Sequence, residues 1–176
     1  MLLLSIDLET SGLDPDTCQI LEVGAVLFDP ANPGFRWQFF ESLVYGGGPI
    51  VGDPYALASN HEILQRIGDG ALTIPADSVP SKLCRFVRSH TDEKVTICGK
   101  NFDAFDGRFL AKIPYWNTTT FYERRTLDLG ALFYDCNTGV PSLSTIKAKC
   151  GLGNTVAHRA LQDAQDVASC ISWMYR

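Results

Sequence analysis

Apolar and polar positions divide this chain into short, well-bounded segments. Leu2 to Asp7 is an apolar run that ends in an acid and reads as a buried strand. Ile20 to Phe28 (Ile-Leu-Glu-Val-Gly-Ala-Val-Leu-Phe) reads as a second strand, and the aromatic and β-branched stretch Phe35 to Tyr45 as a third. Between the last two lies the turn cluster Asp29-Pro-Ala-Asn-Pro-Gly34. Links this short predict an antiparallel meander. Gly46-Gly-Gly-Pro49 then breaks the pattern, and Gly46 to Pro54 is expected to be the mobile loop. Helical spacing follows at Ala56 to Ile67 and at Pro80 to His90, the latter with Leu83, Phe86 and Val87 on one face. Val95 to Cys98 is a short fourth strand, and Ala104 to Ile113 a helix stopped by Pro114. Arg125 to Tyr134 mixes strand and helix signals. Leu143 to Cys150 is a helix closed by Gly151, and Ala160 to Tyr175 is the last helix, with Leu161, Ala164, Ala168, Ile171 and Tyr175 as its stripe.

Three strands followed by alternating helix and strand imply an α/β fold, a mixed sheet flanked by helices. At 176 residues, without repeats or a linker, the chain is expected to form a single domain, 1–176. Its 45% apolar and 20% charged residues match a soluble globular protein. The opening apolar run is too short for a membrane span or a signal-peptide core. A cytoplasmic location is expected, with no membrane partner. The six cysteines show no C-x-x-C spacing and read as reduced, mostly buried thiols. Asn117-Thr-Thr119 matches a glycosylation sequon, which without a secretory signal carries no weight. The net charge of −5 argues against tight nonspecific duplex binding. It leaves room for a cation-binding centre, because acids that gather to bind cations dominate such a count.

Three acidic stretches carry the candidate chemistry. Asp7 and Glu9 are separated by one residue at the end of a strand, so both point to one face. With 20 acids in the chain, about two such pairs arise by chance, so the pair matters only because it closes a core strand. Asn101-Phe-Asp103-Ala-Phe105-Asp106-Gly-Arg-Phe109-Leu110 follows a strand and opens a helix. Phe105 and Phe109 can anchor that helix while Asp106 projects toward the end of the sheet. Asp103 reads instead as an N-cap or first-turn acid. The third stretch pairs His158 with Asp163. In regular helix a gap of five places them about 140° apart. They converge only if His158 lies in the preceding loop, which Gly151 to Val156 supplies. Asp166, one turn on, reads as a solvated helix acid. Together the stretches offer four carboxylates and one imidazole, a set able to hold two divalent cations and activate a water.

Asp-x-Glu, then Asn-x-x-x-Phe-Asp-x-x-Phe-Leu, then His-x-x-x-x-Asp, in this order, resembles the DEDDh 3′-to-5′ exonucleases. That group includes bacterial proofreading subunits, oligoribonuclease and ribonuclease T. The motifs span positions 5 to 166, and Asp103, close to the second-motif acid, is the one departure. The resemblance implies a ribonuclease H-like fold: a five-stranded mixed sheet, three strands antiparallel and the rest parallel, with helices on both faces. It also implies that Asp7, Glu9, Asp106 and Asp163 ligate two metals, that His158 is the general base, and that Thr10 and Leu13 contact the terminal nucleotide. Leu13 would stack on or wedge against a base; a core contact under a turn is the competing reading.

Hard oxygen donors suit Mg²⁺ or Mn²⁺, and the absence of clustered cysteine or histidine argues against zinc. A histidine in a loop suits proton uptake, because imidazoles exchange protons near neutral pH. Its position suggests gating, with His158 swinging in when substrate binds. The expected substrate is the 3′ end of single-stranded DNA or RNA, with DNA slightly favoured and 5′-mononucleotides released. A polymerase or another replication or repair enzyme is a candidate partner. An RNA-directed exoribonuclease is the alternative. A non-catalytic nucleic-acid-binding module of the same fold would have lost ligands, yet all five positions are present. An endonuclease of this fold would give internal cuts. Lys100, Arg108, Lys112, Arg124, Arg125, Lys147, Lys149 and Arg159 are candidate phosphate contacts. Tyr115, Trp116, Phe121 and Tyr122 read as core or loop packing, with base stacking as the alternative.

Overall fold

The most apolar stretch, Ile20–Phe28, is buried at every position, as a strand covered on both faces must be. In this computed structural model, which describes residues 1–175, the chain runs β1 (Leu3–Thr10), β2 (Ile20–Phe28), β3 (Gln38–Val44), α1 (Pro54–Ser59), α2 (His61–Gly68), β4 (Thr73–Ile74), α3 (Val79–Arg88), β5 (Thr96–Gly99), α4 (Asp106–Lys112), β6 (Leu127–Asp128), α5 (Leu129–Leu132), α6 (Leu143–Lys149) and α7 (Ala160–Trp173). The strands form one sheet in the order β4-β3-β2-β1-β5-β6. The first three pair antiparallel, as the short links predict, while β4, β5 and β6 pair parallel to β3, β1 and β5.

The mixed α/β sheet flanked by helices is as expected, but it has six strands rather than five. The added strand is β4, two residues long like β6, which lies in the segment Arg125 to Tyr134 that mixes strand and helix signals. Two residues carry no readable alternation, and backbone pairing alone makes them strands. The ambiguous segment Arg125 to Tyr134 contains β6 running directly into α5, whose cap is the Asp128 carboxylate accepting from the Ala131 N–H at 3.0 Å.

Alternation along β1 divides the core. Leu4, Ile6 and Leu8 face one layer with Val79, Leu83 and Val87 of α3 and Phe109 and Leu110 of α4. Leu3 faces the opposite layer, with Val26, Phe28, Ile146 of α6 and Ala164, Val167 and Ile171 of α7. The odd positions Asp7 and Glu9 therefore open toward α7. That helix comes very close. A Cβ added at Gly24, the residue opposite Asp7, would lie 2.2 Å from the Ala160 carbonyl carbon. Only glycine admits the start of α7 here.

Several expectations need correction. The predicted helix Ala56 to Ile67 is two helices, broken at Asn60. The Gly46 to Pro54 loop is tied down in its second half: the Asp53 N–H donates to the Ser11 carbonyl at 2.7 Å, and a Cβ on Gly52 would collide with that same oxygen. Trp116 and Phe121 are buried, which supports packing for that aromatic group, while Tyr115 is exposed. All six cysteines are free, but only Cys98, Cys150 and Cys170 are buried. Among the described residues no helix is long and apolar enough to cross a membrane.

Candidate active site

β1 outruns its parallel neighbour. Pairing with β5 extends only to Ser5 opposite Cys98, so the last residues of β1 lack a strand on that side. Asp106, the first residue of α4, fills the gap: its Oδ1 accepts the Leu8 N–H at 2.9 Å. This bond fixes a buried carboxylate beside Asp7 and Glu9. Asp103 is elsewhere. It is exposed, accepts from the Thr126 hydroxyl and caps no helix. Of the two acids in that stretch, Asp106 alone reaches the end of β1.

From the other layer α7 brings Asp163, buried in its first turn, and the preceding loop brings His158. The Asp163 carboxylate accepts the Ala157 N–H at 3.2 Å, which folds the loop back over the helix start. His158 has φ 51°. That left-handed conformation costs a non-glycine residue roughly 1–2 kcal/mol. It turns the exposed imidazole toward the acids, so that one ligand atom from each of Glu9, His158 and Asp163 lies within 4.8 Å of the others. The loop placement that sequence spacing requires is therefore the one adopted.

Asp7 is where the set converges. Burial, then the charges of Asp106, Asp163, Glu9 and Glu22, hold its carboxyl well above the usual range. Burial and Asp163 push Glu9 up to about 7, against a lowering hydrogen bond from Asn60. Burial pushes Asp106 up to about 7, opposed by the Leu8 N–H. Asp163 is raised by burial, with the Ala157 N–H pulling the other way. None of these four carboxylates forms a salt bridge among the described residues, and such a group of oxygen donors suits hard divalent cations such as Mg²⁺ or Mn²⁺. The residues fit that role on donor chemistry alone.

Thr10 is buried, its hydroxyl donating to the Gly12 carbonyl at 2.7 Å and its own carbonyl accepting from the Asn60 side chain at 3.0 Å. Leu13 is 73% exposed, which eliminates the core-contact reading. Three other expectations change. Asp166 is buried and paired with Lys147, which also donates to the Thr155 carbonyl, so neither residue is a solvated surface charge. Arg159 is engaged with Glu22 and Glu41. Glu22, fully buried opposite Glu9 on β2, is the acid that pattern reading missed. Its one signal is that it interrupts an otherwise apolar strand.

No family model matches the chain, and no curated protein matches it in sequence. Solved structures do. The nuclease domain of 3′hExo, a DEDDh family member, bound to rAMP, superposes with TM-score 0.73 at 16% identity over 98% of this chain and 90% of that one. Exonuclease I from Methylocaldum szegediense gives 0.72 at 17% identity, covering 98% of this chain and 40% of that one. E. coli Exonuclease I in complex with a dT13 oligonucleotide gives 0.70 at 16%, covering 97% and 40%. The chain thus spans about 40% of the length of the Exonuclease I chains it matches. At these identities the likeness concerns the backbone, and it establishes that this chain has the ribonuclease H-like fold of the DEDDh exonuclease domains.

Proposed function

We propose that the chain, as one domain over 1–176, is a metal-dependent 3′-to-5′ exonuclease acting on single-stranded nucleic acid, with DNA preferred to RNA, and releasing 5′-mononucleotides. The observation that carries this reading is the gathering of Asp106, Asp163 and Glu9 about Asp7 at the free end of β1, with the His158 imidazole beside Glu9 and Asp163. The fold it shares with an Exonuclease I bound to an oligonucleotide and a nuclease domain bound to rAMP supports it.

In this reading Asp7, Glu9, Asp106 and Asp163 hold two divalent cations, Mg²⁺ or Mn²⁺. Bound there, the pair supplies water activation at neutral pH and charge neutralisation at the leaving oxygen. His158, at the rim, accepts the proton of the attacking water. Water adds to phosphorus, the bond to the 3′ oxygen of the preceding nucleotide breaks, that oxygen takes a proton from solvent to become the new 3′-hydroxyl, and a nucleoside 5′-monophosphate departs. Leu13, exposed beyond β1, presents an apolar surface to the terminal base, and Thr10 shapes the turn that carries it. The 3′ end is taken free in solution or from a polymerase.

The test is incubation of 5′-labelled single-stranded DNA and RNA with Mg²⁺, Mn²⁺ or chelator. The expected result is a metal-dependent ladder shortening from the 3′ end, abolished in Asp7→Asn, with DNA consumed faster than RNA. Internal cuts, or activity surviving chelation or Asp7→Asn, would overturn the proposal.

A further inference from the structure

Glu22 is the most completely buried acid in the described structure, on a strand with no other charge. Its carboxylate accepts from Arg159 Nε at 3.3 Å and Nη2 at 3.2 Å, from Arg66 Nη1 at 3.1 Å and from the main-chain N–H of Ala160 at 3.0 Å. Arg159 continues to Glu41 at 3.1 Å. A buried carboxylate with two guanidinium groups and a helix N-terminal N–H is well satisfied. A leucine there would nonetheless serve the core as well, since buried ion pairs contribute little net stability. What a leucine would not do is hold residues 159 and 160.

Those two residues follow His158 directly. On its other side the Ala157 N–H is tied to Asp163, and the Thr155 carbonyl to Lys147. A left-handed backbone at His158 persists only where its surroundings over-determine it. The ties at 155, 157, 159 and 160 do so, and Glu22 supplies the last two.

We infer that Glu22 is a positioning residue. Through Arg159 and the Ala160 N–H it holds the backbone of His158 in its left-handed conformation, and so keeps the imidazole beside Glu9 and Asp163. The kinetic half of this inference rests on the exonuclease reading; the conformational half rests on the structure alone. It sets a fixed His158 backbone against the expectation of a swinging loop. It also assigns Arg159, a candidate phosphate contact by sequence, to the clamp.

The experiment compares Glu22→Gln, Arg159→Met and the double variant. The readouts are amide hydrogen exchange at Ala157 and Ala160, Mn²⁺ affinity by calorimetry, and steady-state kinetics on single-stranded DNA. Arg159 is partly exposed, so its variant remains testable if Glu22→Gln does not fold. Each single variant is expected to lose exchange protection at Ala160 and roughly 10- to 100-fold in kcat, with KM and Mn²⁺ affinity nearly unchanged. The double variant is expected to be no worse than either single one, because the two residues act as one unit. Wild-type protection at Ala160 in the variants, losses that multiply in the double variant, or a matching loss of Mn²⁺ affinity would overturn the inference. If the wild type hydrolyses nothing, the exonuclease reading falls, and exchange at Ala160 still decides the clamp.

Discussion

Asp7 experiences every other acid of the site, yet His158 stands at its exposed rim. That difference divides their roles. His158→Ala is expected to keep Mn²⁺ affinity, read by calorimetry, while kcat falls about 10²- to 10⁴-fold, the usual contribution of a positioned general base. Equal loss of both would make the imidazole a metal ligand instead. Leu13→Ala, at an exposed position, should leave stability within about 0.5 kcal/mol. Its KM for single-stranded DNA should rise about fivefold, in line with ~1 kcal/mol of stacking on the terminal base. An unchanged KM would remove Leu13 from the substrate site. At this scale the sequence was largely legible. Strand alternation placed Asp7 and Glu9 on one face, and helix geometry required His158 in a loop. Glu22 and Asp166 were not legible, because their roles are set by arginine and lysine partners 19 to 137 residues away.

At the level of elements, two contacts fix the position of α7, one to its neighbouring helix and one to the sheet. The buried Lys147–Asp166 pair joins α6 to α7. Lys147→Met strands a buried carboxylate and is expected to cost about 3–5 kcal/mol, whereas adding Asp166→Leu should recover most of it. Urea denaturation measures both, and a mild effect of the single variant would show the pair to be dispensable. At Gly24 an added methyl meets main-chain atoms of Ala160 and Leu161, which cannot rotate aside. Gly24→Ala should therefore cost about 3 kcal/mol by overpacking. Neither contact shows in periodicity. The same is true of the break at Asn60, where an apparently continuous helix is interrupted as the side chain turns to the Thr10 carbonyl.

For the molecule as a whole, the acidic centre couples folding to pH and to cations. Burial holds Glu9 and Asp106 at about 7, against ordinary values of 4.5 and 3.8. Between roughly pH 4 and pH 7 the folded chain without metal therefore binds more protons than the unfolded chain, so its stability falls as pH rises through that window. Divalent cations bind the deprotonated carboxylates, so Mn²⁺ should raise Tm strongly at about pH 8 and little at about pH 5. A Tm of the chelated protein that climbs from pH 5 to 8 would contradict this. The mixed sheet followed from the order of apolar runs. Its sixth strand did not, because two-residue strands exist only through pairing.

Anomalous diffraction from crystals grown with Mn²⁺ at about pH 8 tests the cation-holding centre most directly. Two manganese peaks are expected at the end of β1, within about 2.0–2.6 Å of carboxylate oxygens from Asp7, Glu9, Asp106 and Asp163. Peaks absent from these four side chains, or bound elsewhere on the protein, would contradict it.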